Sequence, residues 1–426
     1  MIVLQGVNER VARIGRRQGA ALTVLLLFTL PVLLAILCVA VNAAYLAEAR
    51  ATLQNTADAA ALAAVQSLVD DSWLIGDPVR QLNLIGAARS QAQYYAAHNP
   101  ILGQPLTLQL PATATANPVD GDVIFAFLDK PRSPVLAERV LLVGDLDSSS
   151  GSGPFLPTVN TVRVNARRLQ ERGTAVGLWG GNFTGFGSVD MVTPATATLD
   201  RDVVGFKPIG DEPVPLTPVA LLTRAAPGTP SSWELQLQAG QDNWAFNPAG
   251  GGWSAGSDFL PEATMAVNGD ETQASAALLL LGVPDLVGLS GQNTFAGQVM
   301  AGVSANDLQG MGGAFALSAN SNRLSVAATR GGSSFYSVLA SSLNQITGQK
   351  RIWPLYESFD AVSGQAVISG FVAARLVEAS PTVGGVTLIL QPCMLSTRTA
   401  LTNAAQRGVG GVNITNPYIC KVRLVE

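Results

Sequence analysis

Between residues 19 and 45 the chain carries no charged side chain, and residues 20–41 form a nearly unbroken run of 22 apolar positions. As a helix at about 1.5 Å per residue that run is roughly 33 Å long, enough for a hydrocarbon core of about 30 Å. Thr23 and Thr29 can return their hydroxyls to the helix backbone. Pro31 falls near the middle, where a membrane helix kinks rather than breaks because neighbours satisfy the freed carbonyl. A cleaved secretory signal has an apolar stretch of about 7–15 residues. This run is longer and passes into further helical pattern without a loop, so the segment reads as a retained signal-anchor. Arg10, Arg13, Arg16 and Arg17 precede it against one acid, Glu9. Glu48, Asp58, Asp70 and Asp71 follow it against Arg50 alone. Cationic flanks stay inside, which predicts a cytoplasmic N-terminus and an exported remainder.

Residues 43–69 contain neither Gly nor Pro and are rich in alanine, the best helix former. Leu46, Leu53, Ala57, Ala60, Ala64 and Leu68 recur at helical spacing on one stripe, with Gln54, Asn55 and Asp58 on another. A face of small residues lets another helix approach closely. That partner is either the chain's own exported domain or another subunit. A second helix is predicted from Asp77 as N-cap and Pro78 as first residue, with Val79, Leu82, Ile85, Ala88, Ala92 and Tyr95 at helical spacing and Asn99-Pro100 ending it. From Leu106 the pattern becomes strand-like: a turn at Asp120-Gly121, then strands over 122–128 and 158–168. Residues 207–218 hold four prolines and read as an extended connector. Trp233, Trp244 and Trp253 suit the core of a small β unit better than a sugar-stacking platform. Asn268-Gly-Asp is a turn signal, and residues 276–282 are too few to cross a bilayer. Residues 364–377 and 385–390 read as an antiparallel hairpin joined by a loop over 380–385.

These elements predict an α+β protein: an N-terminal transmembrane helix continuing into an Ala-rich stalk helix, followed by β-rich exported domains. The expected divisions are a basic cytoplasmic segment (1–18), the transmembrane helix (19–44), the stalk (45–69) and a first exported α+β domain (70–208). A Pro/Trp-containing connector with a small β unit (209–275) and a C-terminal β-rich region (276–426) complete it.

Composition narrows the chemistry. Charged residues are 13% and hydrophobic ones 48%, which argues against disorder. A sequence pI near 5.2 offers no broad cationic surface for nucleic acid. There is one histidine, His98, in the last turn of the second helix, where a solvated residue is expected. No phosphate loop or His-Glu-x-x-His motif occurs. The expectation is therefore a non-enzyme without a cofactor. Cys38 lies in the apolar run. Cys393 and Cys420 are candidates for a disulfide closing a loop of about 28 residues, worth on the order of 3 kcal/mol. Two separate buried thiols are the alternative.

Arg16-Arg-Gln-Gly-Ala-Ala, the apolar span, and then Leu53-Gln-Asn-Thr-Ala-Asp-Ala-Ala-Ala-Leu-Ala-Ala64 resemble the N-terminal module of the TadG-like (TadE/TadG) proteins of Flp pilus assembly. The match covers about residues 16–65. A weaker one runs to about 200 through Ser188-Val-Asp-Met-Val-Thr-Pro-Ala-Thr-Ala197. The resemblance implies a structural component of the tight-adherence (Tad) system in the bacterial inner membrane, single-pass. Its partners would be other Tad/Flp pilus assembly or envelope proteins and inner-membrane lipid, with no nucleic acid. Pilin-like members carry Glu at the fifth position after a processed Gly. Counting from Gly19, that position is Val24 here, which speaks against processing. Many members also carry a von Willebrand factor A domain with an Asp-x-Ser-x-Ser metal motif. The nearest candidate, around Asp145, Asp147 and Ser149, departs from it and reads as a flexible loop. Leu53, Gln54, Asn55, Asp58 and Leu62 are the expected interaction surface. An exported adhesin or ligand binder that uses the module only as an anchor is the alternative reading.

Overall fold

The computed structural model describes residues 3–128, 141–144, 146, 159–181, 187–224, 232–270, 273–402 and 415–425, with backbone alone for 3–24 and 141–142. The apolar run and the Ala-rich segment form one uninterrupted helix, α1 (Val3–Ser67), which continues through Pro31. A single turn, α2 (Ser72–Ile75), leads through Gly76 into α3 (Pro78–His98). Gly76 adopts φ 75°, a left-handed conformation that a side chain would strain. The Asp77 carboxylate accepts the Val79 N–H at 2.9 Å, the expected N-cap. The strands, in chain order, begin with β1 (Val123–Leu128), β2 (Leu141–Leu142), β3 (Thr161–Arg168), the short pair β4 (Val176–Gly177) and β5 (Ser188–Val189), and β6 (Met191–Asp200). β7 (Val203–Phe206), β8 (Val219–Leu222), β9 (Trp244–Asn247), β10 (Gly252–Ala255), β11 (Ala263–Asn268), β12 (Ala276–Leu279), β13 (Phe315–Ala316) and β14 (Leu324–Thr329) follow. β15 (Lys350–Asp360), β16 (Gln365–Thr382), β17 (Gly385–Pro392), β18 (Leu395–Ser396), β19 (Ala400–Thr402) and β20 (Ile419–Val425) end the series. Helices α4 (Trp233–Ala239), α5 (Leu289–Ala301) and α6 (Ser333–Asn344) lie between strands of the second half.

The first unit is a two-layer packing. Its sheet runs β18-β20-β6-β3-β1-β2. Alternate residues Val123 and Phe125, Val162, Val164 and Ala166, and Ala195, Ala197 and Leu199 share a buried core with α1 and α3. β20 pairs antiparallel with β6, Lys421 opposite Asp200, so the end of the chain completes the sheet that the N-terminal helix covers. The division at 276–426 is therefore corrected: the C-terminal strand belongs to the first unit, because β6 would otherwise present an open edge over an apolar core.

The second unit is built on the sheet β11-β17-β16-β14-β12-β8-β15. Pairings β8–β12, β12–β14, β14–β16, β16–β15 and β15–β8 return to their starting strand, a closed circuit. Both faces are buried. One packs Leu221, Leu278, Trp353 and Leu376 against Phe295 of α5 and Leu339 of α6. The other gathers Ala277, Leu279, Ile352 and Ile368 with Phe206 and Phe315. The expected separate unit at 209–275 is also corrected, since β8 and β11 are strands of this sheet. The proline run is extended but not a free connector: Val214 and Leu216 are fully buried and bridge to Val303 and Ile352. Trp233 starts α4 and lies in the core, whereas Trp244 and Trp253 sit on the β9–β10 hairpin. The hairpin of β16 and β17 is as expected, but pairing continues to Thr382 opposite Gly385, so the loop shrinks to Val383 and Gly384.

Asp71, just past the end of α1, ties the two units together. Its carboxylate lies 2.7 Å from Nη1 of Arg375 and 3.4 Å from Nζ of Lys350, and accepts the Met394 N–H at 2.6 Å. The Arg375 guanidinium is buried and stacks 4.2 Å from the centroid of Phe246. Asp71, Lys350, Arg375 and Phe246 line a cleft of about 600 Å³ between the units. Removing one member of a buried ion pair strands the other charge. Asp71→Ala is expected to lower the stability of the full-length protein by about 3 kcal/mol, read as a lower urea midpoint. Asp71→Asn keeps the acceptor for Met394 and should lose less. An unchanged midpoint in Asp71→Ala would contradict this role.

Candidate membrane-anchoring module

α1 changes its surroundings along its length. From residue 25 to 41 the large apolar side chains face outward: Phe28 is 69% and Val39 70% exposed. An 18-residue window here has mean hydropathy 2.6, long and apolar enough to cross a membrane. At Ala49 the helix enters the protein. Leu53, Ala57, Ala60, Ala61, Ala64, Val65 and Leu68 are all fully buried against α3 and the first sheet. The matching face of α3 is Ile85, Ala88, Ala92 and Ala96, with Leu82 partly buried. Val79 and Tyr95, expected on that stripe, are exposed instead. With alanines along the middle of both faces the helices can approach closely. Thr56 Oγ1 donates to the Asn99 carbonyl at 2.9 Å, satisfying a group just beyond the end of α3. Arg89 of α3 is buried under the sheet, donates to the carbonyls of Ala114 and Ala116, and lies 5.3 Å from the Phe125 ring centroid.

The expected interaction residues divide accordingly. Leu53 is corrected: it is a core residue, because its stripe is the one that α3 and the sheet cover. Leu62 is half-buried at the margin of the same core. Gln54, Asn55 and Asp58 remain on the outer side. Asn55 is exposed, and Gln54 Nε2 donates to Asp58 Oδ1 at 2.7 Å. Arg10, Arg13, Arg16 and Arg17 lie on α1, where side chains are outside the described residues. Asp145, Asp147 and Ser149 also lie outside the described residues. His98 ends α3, its Nδ1 2.8 Å from the Tyr94 carbonyl oxygen and its ring stacked on Tyr94.

Two contacts were not read from the sequence. One is the Asp71 cluster described above. The other is at the upper end of the apolar run. The Asn42 carboxamide pairs with both backbone groups of Trp179: its Oδ1 accepts the Trp179 N–H at 2.8 Å and its Nδ2 donates to the Trp179 carbonyl at 2.9 Å. Asn42 is the first amide side chain after 22 apolar positions, which was the available signal. Its partner, 137 residues away, left none.

With this geometry in view, residues 19–67 match the family model described as putative Flp pilus-assembly TadE/G-like. The N-terminal module is thus similar to the TadE/G-like Flp pilus-assembly domain. No curated protein and no solved structure matches the chain. The matched residues are the part of α1 that begins at the apolar run and ends at Ser67, so the TadE/G-like domain contributes to the core of the unit that follows it.

Cys393 and Cys420 are free and buried, which corrects the disulfide expectation. The two side chains belong to different cores: Cys420 packs with α1, α3 and the first sheet, Cys393 with the second unit. Burial pushes the Cys393 thiol up to about 12 and the Cys420 thiol up to about 11. Thiolate is the reactive form. Neither cysteine should be alkylated by iodoacetamide in the folded protein at neutral pH, and both should react in urea, as read by mass spectrometry. Alkylation of either in the folded state would contradict the placement. Because the unfolded thiols ionise near 9, their contribution to stability is complete below that pH and falls as pH rises towards 12.

Proposed function

We propose that this chain is a structural component of Flp pilus, or tight-adherence, assembly. In this reading α1 crosses the bacterial inner membrane once, with the arginine-bearing N-terminus in the cytoplasm and the two β-rich units on the far side. It acts by packing against other assembly or envelope proteins rather than by catalysis. The observation that carries the reading is the TadE/G-like match over residues 19–67, falling on a helix that is apolar and exposed in its first part and locked into a domain core in its second. The asymmetry of charge, four arginines before the run and four acids to one arginine after it, supports the orientation.

The mechanical consequence is direct. The helix joins its domain through a continuous buried face rather than a flexible linker, so a tilt or rotation of the membrane segment moves the first unit with it. A partner would meet the outer side of α1 at Gln54, Asn55, Asp58 and the margin of Leu62. Asp58→Leu removes the Gln54 acceptor and the charge without entering the core. It is expected to reduce co-purification of assembly partners and surface attachment of cells, with a change in unfolding free energy within about 0.5 kcal/mol. Unchanged co-purification and unchanged attachment would count against this surface.

A further inference from the structure

We infer that residues 178–181, which follow β4, form a membrane-contacting finger, with Trp179 seated in the headgroup boundary of the bilayer that α1 crosses. This rests on the reading of α1 as a span. Cys38 and Asn42 are one helical turn apart on α1, and the loop backbone presses on both. Asn42 holds the N–H and carbonyl of Trp179, and the Cys38 thiol lies 3.9 Å from that carbonyl. Gly180 follows at φ 69°, and a Cβ there would come within 3.1 Å of the Cys38 sulfur. The backbone can lie this close only because residue 180 has no side chain.

Depth follows from the helix. Residue 38 is about 5 Å inside the end of the apolar run at 41. At that level water is scarce, and an unpaired backbone group is costly. Asn42 supplies a donor and an acceptor to the backbone of Trp179, and does so without a charge. The indole itself is 75% exposed, whereas the other five tryptophans are buried or half-buried. At this level α1 turns Leu37, Val39 and Val41 outward. An amphipathic ring placed between acyl chains and headgroups is the arrangement that tryptophan favours at membrane surfaces. Tyr45, one further turn along the same side of α1 as Asn42, is also exposed and extends the aromatic level outward. The finger and the helix would hold the first unit against the membrane at two points, which fixes its rotation about α1. A single helical tether would not.

The test is fluorescence of the full-length protein in phosphatidylcholine vesicles carrying bromine either near the carbonyl end or near the methyl end of the acyl chain. The expected result is a loss of emission the size of one tryptophan in six, greater for the shallow bromine. Trp179→Phe should abolish the loss. Asn42→Ala, which strips the Trp179 backbone of both partners, should diminish it. If the protein floats with the vesicles but wild type and Trp179→Phe are quenched equally, the finger is overturned while the span stands; an indole facing water or a protein partner gives that outcome. If wild-type protein does not float with the vesicles, the span itself fails and the finger with it.

Discussion

The close approach of α1 to α3 rests on side chains no larger than a methyl group along the middle of the contact. Ala57, Ala60, Ala61 and Ala64 on one helix and Ala88, Ala92 and Ala96 on the other are all fully buried, with Leu53, Leu68 and Ile85 filling the ends. A larger residue in the middle of this face would force the layers apart. Because α1 is unbroken from Val3 to Ser67, this packing also fixes the direction in which the apolar segment leaves the domain. The same helix presents apolar side chains outward before residue 42 and inward after Ala49. The change of surroundings happens within about two turns.

The chain returns at its far end to the layer that encloses α1. β20, the last strand, hydrogen-bonds to β6 and covers the edge of the sheet on which α1 lies. Between them the chain builds a second unit whose strand pairings close on themselves, with Asp71 and Arg375 clasping the junction. The first unit cannot be completed until the C-terminal strand has been made, which gives this fold many contacts of long sequence separation. Such topologies fold slowly. An α1 whose apolar half is held in a membrane would keep the early part of the chain in place while the rest is produced.

Local chemistry was legible in the sequence, and non-local pairing was not. The apolar run and the alanine stripe announced α1 because periodicity and composition are local properties. Asp77-Pro78 announced the start of α3, since a cap is decided by neighbouring residues. β1, β3 and the β16–β17 hairpin were visible for the same reason. Leu53 was placed on the wrong surface because a helical stripe looks identical whether its partner is the same chain or another. α5 and α6 hid in a stretch rich in Gly and Ser, where propensity is weak and burial against the second sheet decides the outcome. Two cysteines with suitable spacing suggested a bridge, but spacing says nothing of which core each one enters. The candidate site shows the same division: its anchor was readable, whereas the Asn42–Trp179 pair depends on a fold that brings residues 137 positions apart into contact.

Stepwise removal of the N-terminus separates a helix that is part of the core from one that merely tethers it. A chain beginning at residue 43 retains every buried residue of α1 from Ala49 to Val65 and should unfold cooperatively in a thermal or urea experiment. A chain beginning at residue 70 lacks Leu53, Ala57, Ala60, Ala64 and Leu68 and should lose cooperative unfolding of the first unit, with rapid proteolysis between residues 78 and 200. Equal midpoints and equal protease resistance for the two chains would contradict the proposition that the TadE/G-like helix forms the core of the domain it carries.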